Sequence, residues 1–138
     1  MKRFSLCLAA ALLCLPGAAW ADSIITLDHG TVWQTITPGQ NSQAVIEIHN
    51  TGDAPDTLTS ANCTIADSTL LVDGNAQALS NISIAAGQTV TLSFTGSHLV
   101  LNNVHYPITK GGILPCAFDF SGEGLVLGYL SAIPRPAS

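Results

Sequence analysis

Histidines and cysteines are the side chains of this sequence that could bind a metal ion. Imidazole nitrogen is a donor for copper and zinc, and a thiolate is a donor for the soft ion Cu(I). Methionine is another soft donor, but the only one is Met1 at the start of the chain. Metal chemistry would therefore depend on four histidines and on the two cysteines outside the N-terminal segment. These residues are His29, His49, His98, His105, Cys63 and Cys116.

The N-terminal segment, residues 1–21, has the pattern of a secretory signal peptide. Lys2 and Arg3 give it a positive start, residues 4–15 are largely apolar, and residues 19–21 form the small-x-small cleavage site Ala-Trp-Ala. The apolar part is too short to span a bilayer permanently. We therefore predict cleavage of this segment and export to a bacterial periplasm.

Cleavage before Asp22 leaves 117 of the 138 residues, which is enough for one domain with its own core. We place that domain at residues 22–133, followed by a loose tail at 134–138 where prolines stop the fold. Lipid anchoring is disfavoured, because a leucine rather than a small residue precedes both Cys7 and Cys14.

The exported chain is acidic. Loss of Lys2 and Arg3 leaves two cations against nine carboxylates, a net charge of −7 with neutral histidines. Such a surface repels the phosphates of nucleic acids and anionic lipids, so we predict neither as a partner. After the leader, the sequence contains no apolar run of the length that a transmembrane helix needs.

Cys63 and Cys116 have two interpretations. Two cysteines in an oxidising compartment most often form a disulfide. This one would close a loop of about 50 residues and contribute roughly 4 kcal/mol to stability. The alternative is a pair of thiolates that binds Cu(I). The compartment favours the disulfide, which is our prediction.

The elements that must position these side chains are short β-strands. Apolar and polar residues alternate in runs that are broken by Gly, Pro, Asn and Asp, and no segment has a convincing helical period. This pattern predicts an all-β domain in which two antiparallel sheets pack face to face, as in immunoglobulin-like sandwiches. The predicted strands are 24–27, 31–37, 43–49, 56–63, 82–84, 89–94, 98–101, 113–120 and 124–132, with 65–71 ambiguous.

One stretch is more specific than alternating strand patterns. Residues 82–101 read ISIAAGQTVTLSFTGSHLVL and are similar to a family block, I-x-I-P-A-G-x-T-V-x-L … G-x-H-L-M-L. Residues 48–53 (IHNTGD) and 106–108 (YPI) fit flanking segments of that family. The chain thus resembles the PCuAC-type periplasmic copper chaperones over nearly all of residues 24–130. The resemblance implies a cupredoxin-like β-sandwich that carries Cu(I) and, in some members, passes it to the copper centre of cytochrome c oxidase.

The resemblance also identifies candidate ligands, and here this sequence departs from the family. Members use a histidine, a later methionine and then a His-x-Met pair. His98 matches the histidine of the pair, but Val100 stands where the methionine should be. Family spacing puts the other two ligands near Ile65 and Ala76, and residues 64–79 contain neither histidine nor methionine. The chain therefore resembles a divergent member of this family that lacks most of its copper ligands.

A replacement site would need other donors beside His98. His105 is the second candidate ligand, because it lies seven residues further on, across a strand and a loop. That spacing leaves open whether the two imidazoles converge. We interpret His49, at the end of a predicted strand, as a turn partner rather than a ligand.

The sequence gives little support to an enzyme. It contains neither G-x-S-x-G nor H-E-x-x-H. Four aspartates are interpreted as turn formers and surface charge rather than as paired catalytic acids. They are Asp53, Asp56, Asp67 and Asp73.

Two functions follow from these observations. The first is an accessory role in periplasmic copper handling or delivery, with a degenerate site for copper(I) and a copper-receiving periplasmic or membrane-bound oxidase subunit as partner. The second is a protein-interaction module that keeps the same β-sandwich without a metal.

Overall fold

A computed structural model of the protein describes residues 21–136. The predicted signal peptide falls on residues outside this range, except for Ala21. Between residues 21 and 136 the chain forms nine strands and no helix, so the all-β prediction is confirmed. The strands are β1 (Ile25–Trp33), β2 (Ser42–Asn50), β3 (Asp56–Asn62), β4 (Ala66–Val72), β5 (Ile82–Ile84), β6 (Thr89–Thr91), β7 (His98–Val104), β8 (Ile113–Phe120) and β9 (Gly124–Ile133).

The strands are hydrogen-bonded in one path that curls on itself. Their order is β4-β7-β2-β1-β9-β8-β3-β5, and β6 pairs with β2 on the edge that β2 shares with β7. All neighbours are antiparallel except β1 and β9, where Gly30 lies opposite Leu130 in a parallel pair. This parallel pair joins two halves. We call β4, β7, β2, β1 and β6 the histidine half, and β9, β8, β3 and β5 the disulfide half.

The hydrophobic core lies between the two halves. Strand β2 shows how it forms, because Ala44, Ile46 and Ile48 are buried while the residues between them are only half-buried. Burying one such large aliphatic side chain stabilises the fold by about 1.5–3 kcal/mol. One continuous cluster draws on both halves, so they pack as a sandwich. Its largest members are Ile46, Ile48, Leu99, Leu101, Leu58, Ile84, Phe118, Phe120 and Leu130.

Strand β1 differs from its prediction. The predicted strand 24–27 and the first part of the predicted strand 31–37 form one strand that ends at Trp33, with a β-bulge between Asp28 and Thr31 where its register with β2 shifts. Gly30 lies within this bulge and lets β9 pack closely, because a Cβ at that position would lie 2.5 Å from the carbonyl oxygen of Tyr129 on β9. The ambiguous segment 65–71 is a strand, β4. In the described part of the chain, no helix has the length and apolarity needed to cross a membrane.

Candidate metal site

His98 is the first residue of β7 and lies opposite Val72 of β4. It is 5% exposed, so the residue is buried. Its Nδ1 lies 2.9 Å from the carbonyl oxygen of Gly96. Because a carbonyl can only accept, Nδ1 carries the hydrogen, and in the neutral ring Nε2 keeps a free electron pair. A backbone carbonyl orients many metal-binding histidines in this way.

The turn before His98 is fixed by packing on both sides. Within residues 93–97, the Ser93 amide donates to the Ser97 carbonyl at 3.0 Å. The ring of Phe94 stacks on Trp33 of β1, with centroids 5.0 Å apart. Gly74 lies so close that a Cβ there would be 2.8 Å from the Thr95 carbonyl oxygen. The loop after β4 therefore borders the turn that orients His98.

Val100 lies on the same face of β7 as His98, since side chains alternate along a strand. Leu99 and Leu101, on the other face, belong to the core. Two residues of extended strand separate His98 from Val100 by about 7 Å. A donor at position 100 would therefore be close to the His98 ring, but valine supplies none.

The two other positions that family spacing assigns to ligands, near Ile65 and Ala76, do not lie close to each other. Ala76 is in the loop after β4, with a φ of 63°, near the turn that orients His98. Ile65 lies beyond the far end of β4, where its carbonyl accepts from the His105 amide at 2.8 Å. The positions that family spacing assigns are therefore separated by the length of β4, about 20 Å.

The structure does not bring His105 to His98. β7 runs from one histidine almost to the other, so they lie about 20 Å apart along the strand. The His105 Nε2 instead lies 2.5 Å from the Oδ1 of Asp67, and the Oδ2 of Asp67 accepts from the side-chain amide of Asn103. The hydrogen bonds from Asn103 and His105 hold the pKa of Asp67 below its ordinary value.

Cys63 and Cys116 are joined by a disulfide, as predicted, and their Cα atoms are 4.4 Å apart. Both residues are buried in the core. The bridge links the end of β3 to β8, and its sulfurs are not thiolates. Across residues 21–136, no three histidine, cysteine, aspartate or glutamate side chains are arranged as a ready metal site.

His29 and His49 lie on β1 and β2 and approach one carboxylate oxygen, the Oε1 of Glu47. The distances are 3.6 Å from the His29 Nδ1 and 3.0 Å from the His49 Nε2. The interpretation of His49 as a turn partner is wrong, because His49 lies within β2 and its Nδ1 contacts the Thr89 hydroxyl of β6 at 3.0 Å. Only the pairing of β2 with β6 brings Thr89 there, and sequence spacing does not predict it.

The interpretation of Asp56 as a surface charge is also wrong. It is 4% exposed and accepts hydrogen bonds from the Ser23 hydroxyl and from the amides of Thr57, Gly122 and Glu123, all at 2.7–2.8 Å. Burial by itself raises its pKa, but these four hydrogen bonds outweigh that effect and hold the pKa below its ordinary value of 3.8. Asp56 is thus a buried structural anion.

The curled nine-stranded sandwich places this protein among cupredoxin-like β-sandwich domains. The chain belongs to the LpqE-like family, whose description is "Putative lipoprotein LpqE-like" and whose model matches residues 25–127. No curated protein sequence matches the chain significantly.

Solved PCuAC domains share the fold at low sequence identity. The copper-bound PCuAC domain of PmoF2 is 19% identical, with a TM-score of 0.73 over 84% of this chain and 97% of that one. The apo PCuAC domain of PmoF1 is 19% identical, with a TM-score of 0.73 over 80% and 94%. The Cu(I) form of DR1885 from Deinococcus radiodurans is 19% identical, with a TM-score of 0.59 over 86% and 83%. The resemblance to PCuAC-type proteins is therefore confirmed at the level of the fold.

Proposed function

We propose that this protein is a non-enzymatic accessory of periplasmic copper handling, with a metal site in which His98 is the one retained family ligand. The observation that carries the proposal is the buried, carbonyl-oriented ring of His98 at the start of β7. The shared fold supports it, since PCuAC domains of this shape include a copper-bound and a Cu(I)-bound form. Fold alone does not carry function, so the ligand position is the stronger support.

One imidazole holds Cu(I) weakly, because the soft thioether donors of the family are absent. Weak holding suits a protein that takes up copper briefly and passes it on. The partner that fits this role is a copper-receiving periplasmic or membrane-bound oxidase subunit. Export is supported by the lipoprotein description of the family and by the signal pattern in residues 1–21.

The test is a Cu(I) titration under reducing conditions against a competing chelator. We expect weak binding by the wild type and its loss in His98→Ala. Val100→Met, which restores the missing thioether about 7 Å from His98, should tighten binding about tenfold or more. Asn102→Met is the matched control, because it places the same thioether two residues further along the same face of β7.

Two results would contradict the copper role. One is the absence of Cu(I) binding by the wild type together with no gain in Val100→Met. The other is binding that is the same in the wild type and in His98→Ala.

A protein-interaction role is the second candidate, and an apolar surface on the disulfide half favours it. Leu125, Leu127 and Tyr129 of β9 are 69%, 58% and 59% exposed. On β8, Ala117 lies opposite Leu127 and Pro115 lies opposite Tyr129, so the surface continues across two strands. Contiguous exposed apolar side chains of this kind mark contact sites for other proteins.

A photo-crosslinking residue at position 127 tests this role in cells that export the protein. We expect an adduct with one other protein, and the adduct should disappear when Tyr129→Ser is added. The same probe at Thr59, an exposed residue of β3, is the control. Equal yields at both positions would contradict a specific contact at β9.

A further inference from the structure

The β-bulge in β1 brings four titratable side chains together on the outer face of the histidine half. Asp28 lies directly opposite Glu47 in the pairing of β1 with β2. In a regular strand His29 would point away from Asp28, but here its φ is 52° and its Nδ1 lies 3.4 Å from Asp28 and 3.6 Å from Glu47. Bulges often re-aim a side chain next to a functional site. This bulge turns an imidazole toward two carboxylates.

His49 completes the group from β2. Its Nε2 lies 3.0 Å from the Glu47 Oε1, while Thr89 of β6 contacts the other ring nitrogen at 3.0 Å. A second partner at the remote nitrogen fixes the orientation of a histidine and is typical of metal ligands. The side chains of His49 and Glu47 are each 27% exposed, so they are held in place while remaining open to a small ion.

The charges of the group favour a cation. Two carboxylates directly opposite each other across a strand pair repel, which destabilises the pair. The two imidazoles place nitrogen donors beside these carboxylates. An ion bound between them and Glu47 would offset the repulsion without requiring a proton.

We propose that His29, Glu47 and His49 form a surface site for a divalent ion of the borderline class, Cu²⁺ or Zn²⁺. Imidazole and carboxylate are the donors that these ions accept, and neither ion needs sulfur. Ligand atoms about 2.0–2.2 Å from a tetrahedral ion are separated by roughly 3.3–3.6 Å. The nitrogen–oxygen distances of 3.0 and 3.6 Å are close to that spacing.

Within residues 21–136 no three such side chains are arranged to hold a metal ion, so this site requires a rearrangement of its donors. His29 is the side chain that must turn. Its side chain is 71% exposed, so rotation about its side-chain bonds meets little resistance. The site is independent of the proposed Cu(I) function, because His98 takes no part in it.

The experiment titrates the purified, disulfide-bonded protein separately with Cu²⁺ and with Zn²⁺ by calorimetry. We expect one ion per chain, with Cu²⁺ tighter than Zn²⁺ as the Irving–Williams order requires. His29→Ala and His49→Ala should each weaken both ions at least about tenfold. His105→Ala is the matched control and should leave the affinities unchanged.

Electron paramagnetic resonance of the Cu²⁺ form gives a second readout. We expect coupling to two imidazole nitrogens in the wild type and to one in His29→Ala. His49→Gln, with its unfolding midpoint measured alongside, shows that a weaker affinity does not come from loss of the fold. The proposal is overturned if the wild type binds neither ion saturably. It is also overturned if His49→Ala keeps the wild-type affinity or if His105→Ala loses as much as His49→Ala.

Discussion

The two halves of the sandwich differ in how they use their reactive side chains. The disulfide half contains Cys116 and Asp56, and Cys63 follows its strand β3 directly. All four histidines of the chain lie on the histidine half or directly after β7. The groups that stabilise the fold are therefore separate from the groups that could bind metal. Because of this separation, a change of the histidines need not disturb the disulfide and the buried carboxylate that stabilise the fold.

Among the proposed variants, removal of the disulfide should lower the free energy of unfolding most. The bridge spans a sequence separation of 53 residues, and in the chain-entropy model a loop of that size contributes roughly 4 kcal/mol. We expect Cys63→Ala with Cys116→Ala to lower the free energy of unfolding by about that amount, measured by urea denaturation. Reduction of the wild type should have the same effect.

The Cu(I) affinity of the folded double variant should equal that of the wild type. Loss of Cu(I) affinity in the double variant would contradict the separation of the two halves. Copper would then be held by the thiolates of Cys63 and Cys116.

Asp56→Ala is the next largest change. The substitution leaves the Ser23 hydroxyl and three amides without their shared acceptor in a buried position. Hydrogen bonds to a charged group and unsatisfied buried donors together cost about 3 kcal/mol. Urea denaturation should show that loss, while the exposed Asp53→Ala serves as a control within about 0.5 kcal/mol of the wild type.

The pH dependence of stability tests the same carboxylate. The folded state lowers the pKa of Asp56 below 3.8, so it favours the ionised form. The contribution of Asp56 is therefore complete above that value and is lost as the pH falls through the lower, folded-state pKa. We expect the unfolding midpoint of the wild type to fall more steeply below about pH 4 than that of Asp56→Asn. Parallel curves would show that Asp56 is not held as an anion.

Local pattern predicted much of this fold, while contacts between distant segments decided the rest. The alternation in β2 predicted that strand, and the expected export to an oxidising compartment predicted the disulfide. The buried position of Asp56 depends on Ser23 and residues 122–123, which are remote in sequence. Beside the bulge at His29, Gly30 lies against Tyr129 of β9, which is also remote in sequence. No local sequence pattern predicts these long-range contacts.

At the candidate site, the length of β7 also could not be predicted from its local sequence. The predicted strand ended at residue 101, which left a loop that could fold His105 back toward His98. Pairing with β4 extends β7 to Val104, where Ala66 lies opposite it. The longer strand keeps His98 and His105 at opposite ends of β7. Pairing with β4, rather than the residues of β7 themselves, produces this extension.

His105→Ala should have the smallest effect of the changes considered. The His105 and Asp67 side chains are 41% and 57% exposed, and ion pairs at such positions contribute little to stability. We expect no resolvable shift of the urea midpoint and no change in Cu(I) affinity by chelator competition, whereas His98→Ala should lose that affinity. Equal losses in both variants would mean that the two imidazoles meet at one ion. β7 would then have to bend or open when copper binds, because an extended strand keeps them about 20 Å apart.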